Sequence, residues 1–347
     1  MTRHKEGFPA AMFLLFFAVT AVVFLFCVCV GSVRIPLRDT VTLLSGAIRD
    51  GITEAVARGG HYASILLLVR LPRVLCVALS GAALSVCGAA MQGLLRNPLA
   101  DGSTLGVSSG ASLGAVVAIA FNITLPALPF AGTMVCAMLF AFLSMMTILS
   151  LAYRLDRMLS TNTIILMGII FSMFVNSIIS LSLTFASDKV KHITFWTMGS
   201  LAGASYRNAA VLLAALAICG LLLICHAREL NAFAIDEENA AHIGVHVRRV
   251  RLVVLIAVSA LIGVCVSIGG SIGFVGLVTP HMIRMITGPN HKKLLPASLF
   301  GGACFLMLAD LIARILLNPL ELPIGVVTSF IGAPAFVFIF YRTRRRG

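Results

Sequence analysis

Charge is what this chain has least of: its 347 residues include only 26 Lys and Arg and 13 Asp and Glu, while 59% are hydrophobic. That is too little charge to solvate the surface of a soluble fold of this length. No Gly-Lys dipeptide occurs anywhere, so the chain cannot form its own phosphate-binding Gly-x4-Gly-Lys-Ser/Thr loop and is not its own P-loop ATPase. No Cys-x-x-Cys pair exists among the nine cysteines, which removes support for zinc sites and disulfide frameworks. No His-Glu-x-x-His run is present, and few ionisable residues interrupt the apolar stretches. No catalytic residue, resident metal or cofactor is expected.

What the chain has instead is a series of long uncharged runs, at 7–33, 74–95, 102–153, 158–187, 208–227, 252–283, 294–309 and 322–341, with a mean hydropathy of +1.04. A helix needs about 20 apolar residues to cross a bilayer. The run 102–153 holds two crossings, divided near Asn122-Ile123-Thr124-Leu125-Pro126, and 252–283 holds one full crossing plus a shorter helix. The expectation is an all-α polytopic membrane protein of about ten transmembrane helices. The first run is read as a retained helix rather than a secretory signal, because it far exceeds the 7–15 residues of a signal core.

Threading about ten spans from a cytoplasmic start puts most of the basic residues inside, among them Arg154, Arg157, Arg228, Arg248, Arg249, Arg251, Lys292 and Lys293. Both termini then face the cytoplasm. This asymmetry accounts for much of the +13 net charge without nucleic acid as a partner. The cysteines all fall in apolar stretches and read as small buried hydrophobes.

Small residues cluster within the spans, as in Gly81-Ala82-Ala83, Gly88-Ala89-Ala90 and Gly301-Gly302-Ala303, where helix backbones can approach closely. Between the first span and Arg70, the stretch 34–61 carries Val41, Leu43, Leu44, Ala47 and Ile48 at helical spacing, which suggests a short helix at the outer surface. A weak internal repeat sets Gly93-Leu94 before Pro98 beside Gly276-Leu277 before Pro280.

The polar segment Arg96-Asn97-Pro98-Leu99-Ala100-Asp101-Gly102-Ser103 interrupts two long apolar runs. Pro98 biases Asn97 away from helical angles, Gly102 permits a sharp reversal, and Asp101 or Ser103 can cap the following helix. One helix is expected to end and the next to start within about a turn.

Several blocks then resemble the membrane permeases of type II ABC importers, the family that moves iron-siderophore chelates, haem and cobalamin. They are Arg70-Leu71-Pro72-Arg73, Gln92-Gly93-Leu94-Leu95-Arg96-Asn97-Pro98-Leu99-Ala100-Asp101 and Leu105-Gly106-Val107-Ser108-Ser109-Gly110-Ala111. Further along come Gly273-Phe274-Val275-Gly276-Leu277-Val278-Thr279-Pro280-His281-Met282-Ile283-Arg284, then Asp310 with Arg314, and Glu321-Leu322-Pro323-Ile324-Gly325.

The resemblance implies a single permease domain over 1–347: a first span at 7–33, an outer amphipathic segment and start of the second span at 34–69, the second to sixth spans at 70–227, a cytoplasmic coupling loop at 228–251, the seventh to tenth spans at 252–341 and a basic tail at 342–347. It implies a homodimer in the lipid of a bacterial inner membrane, with two ATP-hydrolysing subunits inside and a soluble substrate-binding protein outside. The chain itself would be a transport subunit and no enzyme, passing a metal chelate inward by alternating access.

By the same resemblance, Arg70, Arg73 and Arg314 match arginines that meet acidic residues of the binding protein, with interfacial anchoring as the plainer reading and pairing with Asp310 an alternative for Arg314. Asn97, Leu99, Thr161 and Asn162 match a cytoplasmic gate, with helix capping the plainer reading for the last two. Asp236, Glu237, Glu238, Ala240, Ala241 and Gly244 match the elbow that docks into the ATPase, although the family commonly has glycine at the position of Asp236, and His242 also departs from its pattern. The spacing of His242 and His246 beside three carboxylates leaves a metal site as a lesser alternative there. Two other functions stay open: an ABC permease for free zinc or manganese ions, and an ion-gradient-driven secondary transporter, against which the nearly uncharged spans weigh.

Overall fold

The computed structural model describes residues 10–33, 35–102, 105–123, 131–157 and 159–344. In chain order the helices are α1 (Ala10–Cys29), α2 (Leu37–Asp50), α3 (Ile52–Ser64), α4 (Leu71–Leu94), α5 (Val107–Ala120), α6 (Ala131–Leu155), α7 (Thr161–Phe185) and α8 (Val190–Thr197). They continue as α9 (Tyr206–Ala215), α10 (Leu221–Cys225), α11 (Ala227–Ile235), α12 (Glu237–His242), α13 (Val247–Gly269), α14 (Val275–Thr287), α15 (His291–Ile315) and α16 (Ile324–Arg344). Wider helical turns at Ile65–Arg70 and Leu216–Gly220 join α3 to α4 and α9 to α10.

Among the described residues, seven helices are long and apolar enough to cross a membrane: α1, Gly59–Leu94, Gly132–Leu155, α7, Tyr206–Cys225, α13 and α15. Two shorter apolar helices, at Val107–Ala120 and Ile324–Phe338, fall within runs that the sequence reading assigned to crossings. The division expected near 122–126 falls where described backbone ends at Ile123, so its far side lies outside the described residues.

Helix α4 is the hub, packed by α1, α9, α11, α13, α14 and α15. Nearly every residue along it is buried, as the even spread of its apolar residues requires. Glycine makes this possible at two crossings. A Cβ on Gly81 would run into the Gly302 carbonyl of α15, and one on Gly88 would run into the Gly276 backbone of α14. In a bilayer, where lipid competes equally for apolar side chains, such backbone approaches supply the packing that holds helices together.

The amphipathic stretch after α1 is two helices, not one. Leu43, Leu44 and Ala47 of α2 pack on the core, while Val41 and Ile48 face outward. Gly51, with φ of 90°, ends α2 and admits α3. The cysteines are not uniformly buried as the sequence suggested: Cys27, Cys76, Cys87 and Cys265 are, Cys29, Cys136, Cys219 and Cys304 are half-buried, and Cys225 is exposed on α10.

Candidate coupling and gating site

Helix α4 has 24 residues, so it separates its two ends by about 36 Å. The arginine cluster lies at one end and the polar segment from Arg96 at the other.

At the first end, the structure gathers Arg70, Arg73 and Arg314 and buries all three, each no more than 5% exposed. Arg73 donates from Nε to Asp310 at 3.0 Å and from Nη1 to Glu321 at 2.8 Å. Arg314 Nε lies 2.9 Å from the other oxygen of Asp310, one helical turn away, which joins the anticipated i,i+4 pair to Arg73. Arg70 donates instead to the main-chain carbonyls of Val28, Cys29 and Val33, and Arg314 reaches the Cys27 carbonyl at 3.1 Å. The cluster therefore ties α1, α4 and α15 together. Open arginine forks, as the sequence suggested, are not what this surface presents: only Glu321, with its side chain 42% exposed, faces outward.

The other end differs from expectation in its local geometry. The connection runs from Leu95 to Gly106, longer than a single turn. Arg96 takes a left-handed φ of 51°, and the Asn97 side chain accepts from Leu99 N at 2.9 Å, folding the Asn-Pro corner on itself. Asp101 is not the N-cap of α5. Gly106, in the left-handed region at φ 69°, holds that position, and Ser103 lies outside the described residues. Gly102 has no left-handed φ; it is small because Ile262 of α13 packs against it.

Two runs, Gly106-Val107-Ser108-Ser109-Gly110 and Gly269-Gly270-Ser271-Ile272-Gly273, have the G-x-S-x-G spacing of a hydrolase nucleophile elbow, against the expectation that the chain carries no nucleophile signature. The first opens α5 and the second follows the end of α13, and among the described residues neither follows the strand that such an elbow needs.

Leu99 is exposed and Asn97 half-buried. Thr161 and Asn162 are the first residues of α7, the former half-buried and the latter exposed. They do not cap it. Asp156 does that work, accepting from Ser160 N at 2.8 Å, with Leu159 in the left-handed region just before.

The elbow is α12, six residues long, with Ala240 fully buried, Ala241 exposed and Gly244 at φ 89° beyond its end. The side chains of Glu237 and Glu238 lie outside the described residues. Asp236, the departure from the family's usual glycine, sits in extended backbone between α11 and α12, where it meets Arg96 Nη1 at 3.3 Å. Among the described residues, no group of three or more His, Cys, Asp and Glu side chains is placed to hold a metal ion.

Two anchors escaped the sequence reading. Arg251, counted there only as a cytoplasmic charge, is 1% exposed and donates to the Leu159 carbonyl at 2.7 Å, with the Phe233 ring 6.0 Å away. Its helical phase was the available signal, since it shares the inward face of α13 with Val250, Val254 and Val258. Asn231 of α11 accepts from His291 N at 2.8 Å and donates to Asn290 at 2.9 Å, fastening the elbow's approach to the start of α15. Asp236, the residue immediately before α12, thus touches the segment that leaves α4.

The model of the FecCD transport family matches residues 19–342. An uncharacterized ABC transporter permease protein, YvrB, of Bacillus subtilis is 43% identical over 286 residues, 82% of this chain and 81% of its own. The hemin transport system permease protein HmuU of Yersinia pestis is 38% identical, covering 81% of this chain and 84% of its own. A solved structure described as an inward-facing metal-chelate type ABC transporter superposes with a TM-score of 0.83 at 28% identity, covering 96% of this chain and all of that one.

Proposed function

This chain belongs to the FecCD transport family of ABC importer permeases, and from that premise we propose that it passes an iron(III)-siderophore or a similar metal chelate, such as haem or cobalamin, from a binding protein outside to the cytoplasm by alternating access. It is a transport subunit and not an enzyme. In this reading two copies enclose the pathway in a bacterial inner membrane, two separate ATPase subunits drive it, and both termini face the cytoplasm.

The observation that carries the reading is the contact between Asp236, leading into α12, and Arg96 in the turn that follows α4. A movement of the elbow is delivered directly to Asn97 and Leu99, the residues assigned to the gate. Alternating access needs such a joint, because a soluble motor can act only on what protrudes from the membrane. Side chains like Asn97, Leu99, Thr161 and Asn162 can meet a second copy and part again without leaving a charge in a low-dielectric site.

At the far end, three guanidiniums face two carboxylates, and Arg70 has only carbonyls for partners among the described residues. An acidic side chain of a docking protein would find that excess positive charge by displacing the exposed Glu321 from Arg73. Docking in this reading is an exchange of carboxylates, with Arg70, Arg73 and Arg314 as the receiving group.

Reconstitution into liposomes with and without an ATPase partner tests the proposal. Chelate uptake that requires ATP and the binding protein is the expected result; uptake by the permease alone along an ion gradient would overturn it.

A further inference from the structure

Helices α6 and α13 pack against each other with Gly263 beside Ala141 and, further along, the Arg248 guanidinium 4.8 Å above the Tyr153 ring. The two helices therefore run antiparallel. Between them lies an apolar cleft of about 200 Å³, lined by Met138, Phe142 and Met145 from α6 and Ile256, Ala260 and Val264 from α13.

The cleft points at a cluster of positive charge. On α13, Arg249 lies seven residues before Ile256 and eleven before Ala260, which puts it on the same helical face, about 10 Å beyond the cleft. Arg248 stands in the same relation to Ser259, another lining residue. On α6, Tyr153 continues the stripe of Phe142 and Met145 toward the same place.

Arg248 and Arg249 are exposed, and no carboxylate pairs with either among the described residues. Arg157, two residues beyond the end of α6, is also exposed. Two arginines with no carboxylate partner among the described residues, and a tyrosine, thus stand beyond one end of an apolar cleft.

That combination matches one kind of molecule. We propose that the α6–α13 cleft is a binding site for an anionic phospholipid, one acyl chain lying in the cleft and the phosphate held by Arg248 and Arg249 beside Tyr153. Arginine forks suit phosphate oxygens, and tyrosine is at home at headgroup level, where one end of its ring is apolar and the other wet. A zwitterionic lipid could fill the cleft equally well but would not neutralise the two charges. The lipid would brace α13 close to Arg251, which fastens that helix to the Leu159 turn.

The test measures lipid retention on the detergent-solubilised full-length permease by native mass spectrometry, with dioleoyl phosphatidylglycerol and dioleoyl phosphatidylcholine offered separately. Phosphatidylglycerol is expected to stay bound preferentially. Replacing both arginines, Arg248→Gln with Arg249→Gln, should weaken its retention about thirtyfold, the loss of two headgroup charges. Ala260→Phe, which fills the cleft and leaves the charges, should weaken both lipids, whereas Arg228→Gln, another exposed arginine of the basic loops, should change nothing. Equal retention of the two lipids, an undiminished signal in the double variant or an equal loss with Arg228→Gln would overturn the proposal. So would Ala260→Phe dissociating two copies of the chain without affecting lipid, because the cleft would then be a contact between copies.

Discussion

Arg96 reaches out of the turn after α4 to the carboxylate of Asp236, 3.3 Å away, and so joins the segment assigned to the gate with the elbow assigned to coupling. Both side chains are partly exposed, 45% and 38%, so the pair contributes at most about 1 kcal/mol to stability. Its consequence is positional: it sets the Asn97 turn and the approach to α12 against each other.

Reversing one charge of that pair separates coupling from folding. Asp236→Arg should leave the unfolding temperature nearly unchanged while lowering chelate uptake per ATP hydrolysed, and adding Arg96→Asp should restore it. Parallel uptake and hydrolysis assays on the four members of the cycle measure this; additive losses in the double variant would show that the two residues act separately.

The arginine cluster predicts the opposite balance at the other end. Asp310 is 1% exposed and serves both Arg73 and Arg314, so Asp310→Asn leaves two buried guanidiniums undercompensated. A loss of about 3–5 kcal/mol is expected in denaturant unfolding of the detergent-solubilised protein. Glu321→Gln, at the exposed edge, should cost far less and should change the affinity for the binding protein instead.

The glycine crossings give a third contrast. Gly88→Ala pushes a methyl into the Gly276 backbone and should destabilise the protein by at least about 2 kcal/mol. Gly46→Ala, in α2 with nothing within 4 Å of the added carbon, should be neutral or stabilising by up to about 1 kcal/mol. Thermal unfolding of the two variants side by side reads both signs.

Leu99 tests the gate. It is exposed, so Leu99→Cys in a background lacking the exposed Cys225 should cross-link between two copies of the chain. Uptake should stop on cross-linking and return on reduction, with binding-protein association intact. Cross-linked transporters that still import would exclude this turn from the pathway.

Much of this architecture was legible along the chain. The uncharged runs marked the crossings because a helix in lipid must satisfy its own backbone, so length and hydropathy suffice to find it. The Asn97-Pro98 corner announced a break through its own backbone preferences. The same local reasoning misjudged the span of the first break, since the left-handed Arg96 and Gly106 that stretch it from Leu95 to Gly106 depend on what packs around them. It also set Arg251 among the surface charges, although that side chain ends buried on the Leu159 carbonyl.

The sequence by itself determined which long segments are apolar helices and which family's blocks they carry, because those properties depend on neighbours within a few residues. Only the tertiary structure decided that Asp310 serves two arginines 237 and four positions away, that Gly88 lies against Gly276, and that Asp236 meets Arg96 across 140 residues of chain. Each of these depends on which helix faces which. That choice is made by close backbone packing and by the need of every buried charge for a partner, conditions that no stretch of sequence contains alone.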